Sequence, residues 1–134
     1  MIILKRAAKL AGPFLGVFLT VAVANGHHSV AAGFDMELST TVTGTITEME
    51  WINPHARMFF DVEGPDGEIE SWTAWFTSAN ILFRRGWRAD DLPVGETVTV
   101  SGFPARDGSS ELYGGETTLF DGRVLFSGNA PGER

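Results

Sequence analysis

Residues 41–47 alternate between polar and apolar side chains, and this period of two constrains the fold more than any other feature of the sequence. Such alternation is typical of a β-strand with one face in a core and the other in solvent. The phase of the alternation changes at Glu48, because Met49 and Trp51 are the next apolar positions. A one-residue β-bulge near Glu48 accounts for this change, and bulges bend strands into barrels.

Further strand patterns lie on both sides of a single predicted helix. Residues 56–62 and 68–76 carry apolar side chains at strand spacing, although the imperfect alternation of the second leaves open which tryptophan faces inward. Ser78 is a good N-cap for the helix, and Gly86 is a good C-terminal stop. The helix therefore follows the third strand.

The predicted order is three strands, the helix, and two or three further strands over residues 96–101, 117–120 and 123–126. The last two strands flank an Asp-Gly pair, one of the strongest hairpin signals. This is the layout of the OB-fold, a Greek-key barrel with its helix between strands three and four. We therefore expect a mainly β protein, a small OB-like Greek-key barrel of five to six strands with one short helix.

The N-terminus has the layout of a secretory signal peptide. A basic start, an apolar stretch and small residues follow one another within residues 1–24. The apolar stretch is shorter than the ~20 residues that span a bilayer, so we expect cleavage rather than a membrane anchor. A cut after Ala24 or after Gly26 fits the small-x-small rule. The mature protein is then periplasmic or secreted and carries no transmembrane segment.

Cleavage leaves an irregular segment over residues 25–40, the barrel domain over residues 41–127 and a flexible tail over residues 128–134. The sequence contains no cysteine, so the domain depends on its packed core without disulfides. Seven arginines and seventeen acidic residues give this mature chain a net charge of −10. That charge argues against nucleic acid and anionic membranes as partners, and it leaves a metal ion or a periplasmic or membrane protein open.

The three histidines are the candidate metal ligands. His27 and His28 lie beside the predicted cleavage site, and His55 follows an Asn-Pro pair. If Asn25 is the first residue, Asn-Gly-His forms a square-planar nitrogen site suited to Cu(II) or Ni(II). If His27 is first, its amine and imidazole chelate copper, and His28 or His55 adds another nitrogen. Copper is the first choice of metal and zinc the second. The alternative is that all three are ordinary polar residues and that His55 only hydrogen-bonds the turn.

A second set of candidate residues is largely aromatic. OB-folds often bind ligands on the face of strands two and three, where several large rings are predicted, although most such rings fill the core. The candidate ligand-binding residues are Trp51, Asn53, Trp72 and Trp75. We recognise no catalytic cysteine, phosphate-binding loop or nucleophile elbow, so the protein is not expected to be an enzyme. A copper-dependent oxidase or oxygenase would need a cut before His27 and an open coordination position.

Several motifs together resemble one family. They are His27-His28-Ser29, Phe34-Asp35, the Trp-Ile-Asn-Pro-His run of residues 51–55, Arg84-Arg85-Gly86-Trp87, residues 92–102 and Asp121-Gly122-Arg123. The sequence is similar to a family of small exported bacterial proteins, domain of unknown function 6152. Val30 departs from the family pattern, which usually has Phe there. The resemblance implies export and these domain boundaries, and it brings no established activity.

These observations predict an exported periplasmic binding or accessory protein. Its candidate site joins His27, His28 and His55 and binds copper. The alternative is a metal-free module that uses an aromatic strand face to bind a protein or a small ligand.

Overall fold

The computed structural model describes residues 30–128, which form six β-strands, one α-helix and two short 3-10 turns. In chain order the strands and helix are β1 (Thr40–Glu50), β2 (Arg57–Glu63), β3 (Ile69–Trp75), α1 (Ala79–Arg84), β4 (Thr97–Pro104), β5 (Glu111–Thr118) and β6 (Val124–Phe126). The 3-10 turns are Val30–Gly33 and Ala89–Asp91. No helix within residues 30–128 is long and apolar enough to cross a bilayer.

Five of the strands close into a barrel. Their order is β3-β2-β1-β4-β5 with antiparallel neighbours, and β5 also pairs in parallel with β3, from Thr73 opposite Glu111 to Trp75 opposite Tyr113. We call this parallel pairing the seam. The sixth strand, β6, pairs with β5. A closed five-stranded barrel with a helix between the third and fourth strands is the OB-fold, so the predicted fold class is confirmed.

The local signals for the bulge and the helix are also confirmed. Ile46 pairs with Phe60 of β2. The next pair joins Glu48 to Phe59, so Thr47 is the extra residue that bends β1. This bend lets one long strand pair with β4 through its first half and with β2 through its second.

The helix has the predicted ends. The Ser78 hydroxyl accepts a hydrogen bond from the Ile81 amide at 3.4 Å. Gly86 has a φ of +96°, a left-handed conformation that glycine adopts without strain. Leu82 of the helix is fully buried, as is Trp87 just after it, and both join the barrel core.

The predicted strands near the C-terminus were partly wrong. The strand expected over residues 96–101 continues to Pro104, and the strand expected over residues 117–120 begins at Glu111. Two adjacent glycines, Gly114 and Gly115, obscure the pattern of β5, because glycine is normally depleted in strands. A Cβ on Gly114 would overlap the Phe76 ring, so the absence of a side chain permits this close packing.

A second, smaller cluster lies on the outer face of the barrel. Phe34, Phe103 and Tyr113 form it, and the rings of Phe34 and Tyr113 stack at 5.7 Å. We call it the outer cluster. Val30 and Trp75 pack against it. The chain segment before β1 is therefore fixed to the barrel wall, where Phe34 also bridges to Ala105.

Gly114→Ala should destabilise the fold. The added methyl group must displace the Phe76 ring beside the seam, and overpacking of this kind costs about 1–3 kcal/mol in the free energy of unfolding. Urea unfolding monitored by tryptophan fluorescence measures the change. Gly33→Ala is the matched control, because a Cβ there meets no atom within 4 Å. Equal stabilities for the two variants would contradict the close-packing argument.

Thr117→Val should stabilise the fold. Thr117 is fully buried in β5, and its hydroxyl has no hydrogen-bond partner within residues 30–128. Replacing this hydroxyl with a methyl group removes an uncompensated desolvation cost, so the free energy of unfolding should rise by about 1 kcal/mol. Thr99→Val is the control, because the Thr99 hydroxyl is bonded to that of Thr43 at 2.8 Å. A lower stability for Thr117→Val would show that the hydroxyl is satisfied.

Candidate functional site

The connection between β1 and β2 holds the start of the helix. The Trp51 ring stacks on the Phe83 ring of α1, with centroids 5.0 Å apart and planes 19° apart. The carbonyl of Ile52 accepts a hydrogen bond from the Ala79 amide at 3.1 Å. The Asn53 side-chain oxygen accepts one from the Asn80 amide at 3.3 Å. Trp51 and Asn53, two candidate ligand-binding residues, therefore both contact the helix.

His55 is held at the end of the same connection. Its Nδ1 lies 3.0 Å from the carbonyl oxygen of Phe76, and the side chain is half-buried. A carbonyl oxygen only accepts hydrogen bonds, so Nδ1 carries the proton of the neutral ring and Nε2 carries the lone pair. Backbone hydrogen bonds from Ala56 to Thr77 and from Phe76 to Ala56, at 3.0 and 2.9 Å, fix both partners. The ring orientation is thus set by the end of the β2–β3 ladder.

The other two candidate metal ligands, His27 and His28, lie outside the described residues. Within residues 30–128, no group of three or more histidine, aspartate or glutamate side chains is arranged to hold a metal ion. The barrel as described therefore offers the Nε2 of His55 as a single histidine ligand.

Trp72 and Trp75 lie on opposite faces of β3. Trp72 is paired with Phe60, whose side chain is in the barrel core, and Trp75 is paired with the half-buried Arg57. Because strand side chains alternate, two residues three positions apart cannot share a face. The aromatic face expected from the sequence therefore does not contain both rings.

Each of these tryptophans donates its indole N–H to a carboxylate. Trp72 donates to Glu70 at 3.0 Å, and Trp75 donates to Glu111 of β5 at 3.0 Å. The second bond crosses the seam and joins its two strands by their side chains. Both tryptophans are half-buried, so each ring has a role in the fold.

Sequence reasoning missed Arg57, which organises the outer face of β2. Its guanidinium lies 5.6 Å from the Phe59 ring centroid and 5.2 Å from that of Trp75. It also forms an ion pair with Glu50 of β1 at 2.6 Å. Its position two residues before Phe59 in a predicted strand gave no signal, because its other two partners, Glu50 and Trp75, come from neighbouring strands.

Glu70 accepts two side-chain hydrogen bonds that affect its ionisation. The Ser110 hydroxyl and the Trp72 indole both donate to its carboxylate, and these bonds lower the pKa of Glu70 below its usual value of 4.5. The Ser110 bond dominates. It connects β3 to the loop before β5.

Glu70→Gln should make the acid limb of the stability curve less steep. The folded-state pKa is lowered, so the stabilisation is present above the unfolded-state pKa and is lost as the pH falls through the folded-state value. Thermal unfolding of both proteins from pH 6 to pH 2.5 measures the difference. Glu68→Gln is the control, since that carboxylate receives neither bond. Identical curves for Glu70→Gln and the unaltered protein would contradict the assignment.

Comparisons with known proteins identify a family and a fold. The sequence model of a family of unknown function (DUF6152) matches residues 17–113. No curated protein matches the sequence. Similar solved structures include the dimeric N-terminal domain of PriB from Thermoanaerobacter tencongensis, with 17% identity, a TM-score of 0.46, and coverage of 60% of this chain and 93% of that one.

Two further similar structures are described as single-stranded DNA-binding proteins. Rim1, the mitochondrial protein of S. cerevisiae, has 16% identity and a TM-score of 0.45 over 71% of this chain and 98% of its own. The small protein from Streptomyces coelicolor has 16% identity and a TM-score of 0.40 over 62% and 91%. Similarity at this level gives no functional argument, and the barrel assignment depends on the strand order described above.

Proposed function

Because this chain belongs to the DUF6152 family, whose function is unknown, we propose a function from its own residues. The protein is an exported accessory protein of the periplasm that binds copper through His55 together with His27 and His28. The observation that carries this proposal is the orientation of the His55 ring.

The hydrogen bond from His55 to Phe76 gives the imidazole ring the hydrogen-bonding arrangement that metal-binding histidines have. Histidines that bind metals almost always donate their other ring N–H to a carboxylate or a backbone carbonyl. Here Nδ1 donates to the Phe76 carbonyl at 3.0 Å, which leaves Nε2 as the nitrogen for a metal. Because the ring is half-buried and already oriented, it loses less conformational entropy when it binds a metal ion.

The path of the chain supports a shared site. Val30 packs against the outer cluster, and Trp75, the residue before Phe76, packs against the same cluster. His28 is two residues and His27 three residues before Val30. Chain segments of those lengths reach at most about 7 Å and 11 Å. The sequence therefore joins His27 and His28 by a short segment to the outer cluster. The same cluster contacts Trp75, and the next residue, Phe76, binds His55 through its carbonyl.

Charge and sequence support a cationic ligand in an exported protein. The net charge of −10 after removal of residues 1–24 attracts metal cations to the surface as a whole. Imidazole nitrogens favour copper and zinc over the hard cations that carboxylates prefer. The basic, apolar and small-residue order of residues 1–24 supports export.

His55→Gln should lower the affinity for Cu(II) at least about tenfold, because the imidazole is lost. A glutamine amide can still donate to the Phe76 carbonyl, so the fold should be retained. The measurement is calorimetric titration of Cu(II) into protein exported and processed by a bacterial host. Native mass spectrometry of the same sample gives the mature N-terminus and the number of bound ions.

A double variant, His27→Gln with His28→Gln, tests the N-terminal ligands in the same titration. Weaker copper binding in both the double variant and His55→Gln supports a shared site. Unchanged affinity in His55→Gln would remove His55 from the site. Absence of bound copper and zinc in the processed, unaltered protein would contradict the proposal as a whole.

The alternative function is a metal-free module that binds a protein or a small ligand. Its aromatic surface would be the outer face of β2 and β3, where Phe59 and Trp75 lie on either side of Arg57. The existing contacts of Arg57 with Glu50 and of Trp75 with Glu111 already occupy these side chains, so the histidine site is favoured.

A further inference from the structure

The helix and the connection before β2 form a surface patch that the proposed copper site does not use. Phe83 and Ile52 are 39% and 43% exposed. Three exposed arginines lie at the end of the helix, within five residues of the sequence. We call this surface the arginine–aromatic patch, and it consists of Trp51, Ile52, Phe83, Arg84 and Arg88. The third arginine, Arg85, is not part of the patch, because its guanidinium lies against Gly128.

Contacts join Trp51, Ile52, Phe83 and Arg88, and Arg84 directly follows Phe83 in the helix. The stacked rings of Trp51 and Phe83 lie 5.0 Å apart at their centroids. Ile52 is next to Trp51, and its carbonyl is bonded to the first residue of the helix. The guanidinium of Arg88 donates to the Phe83 carbonyl at 2.9 Å, which places this cation at the same helical turn as the Phe83 ring.

These arginines lack the carboxylate partners that the others have. Within residues 30–128, Arg57, Arg106 and Arg123 each form ion pairs with acidic side chains. Among the same residues, Arg84 and Arg85 form no ion pair. The guanidinium of Arg88 donates to two backbone carbonyls and forms no ion pair, while its backbone amide donates to Asp91. The fold therefore places two arginines without an acidic partner, Arg84 and Arg88, beside the exposed Phe83 ring.

We propose that the arginine–aromatic patch docks the protein onto an anionic lipid bilayer. Guanidinium groups complement lipid phosphates, and tryptophan, phenylalanine and isoleucine side chains insert at the boundary between headgroups and acyl chains. The net charge of the chain does not prevent this contact, because charges separated by more than about 8 Å in physiological salt are largely screened. The acidic residues nearest to Arg88 in the sequence are Asp90 and Asp91, and Asp91 is already paired with Arg123 at 2.9 Å.

Binding to vesicles tests the proposal with the processed protein and without added metal. The probes are vesicles of phosphatidylglycerol and phosphatidylcholine in equal amounts, and vesicles of phosphatidylcholine alone. Sedimentation should show binding to the first and little to the second. Arg84→Ala should lower the partition coefficient about fivefold.

Ile52→Ser tests the apolar part of the patch and leaves the Trp51–Phe83 stack in place. It should weaken binding to the anionic vesicles severalfold, because an exposed apolar side chain is lost from the contact. Matched controls are Arg106→Ala, which removes an exposed arginine paired with Asp35, and Val94→Ser, which removes a side chain that is 68% exposed. Both controls should bind as the unaltered protein does.

Three results of the vesicle assay would overturn the proposal. They are no binding to the anionic vesicles, equal binding to both kinds of vesicle, and equal losses in the patch variants and the controls. Binding of an acidic protein through this patch, without vesicle binding, would also overturn it. The vesicle assay contains no copper, so its outcome is independent of the proposed metal site.

Discussion

Closure of the barrel depends on three residue pairs in which β3 and β5 run parallel at the seam. Phe76 follows the seam directly, and its ring lies over Gly114 and contacts Trp87 with centroids 5.1 Å apart. Its amide is bonded to Ala56, and its carbonyl orients His55. One aromatic residue therefore connects the barrel closure, the helix end and the candidate ligand. A change in how Phe76 packs would affect all three.

Most of the Trp-Ile-Asn-Pro-His run maintains the fold. Its first three residues contact the helix by ring stacking and hydrogen bonds, and His55 uses Nδ1 to bind the neighbouring strand end. The Nε2 of His55 is the histidine nitrogen that remains to bind a metal ion. A run of five residues can therefore contribute mainly to the fold and still supply one donor atom to the proposed metal site.

The sequence predicted those features that depend on a few neighbouring residues. The bulge of β1, the Ser78 cap and Gly86 all follow from local patterns, and the order of strands and helix was enough to indicate the OB-fold. The start of β5 was missed because Gly114 is explained only by Phe76, a residue from another strand. Net charge gave no indication of the unpaired arginines, because a sum over the chain contains no positions.

The seam joins residues that are 38 positions apart in the sequence, as Trp75 and Tyr113 are, while Thr40 and Gly102 of the β1–β4 ladder are 62 apart. Non-local pairings of this kind slow folding, because loop-closure entropy must be overcome before the contacts form. Until β5 is present, the edge of β3 has backbone groups that are open to pairing with other chains. During synthesis from the N-terminus, the edge of β3 stays unpaired until the ribosome has released β5. The protein is therefore most prone to aggregation in the interval before the barrel closes.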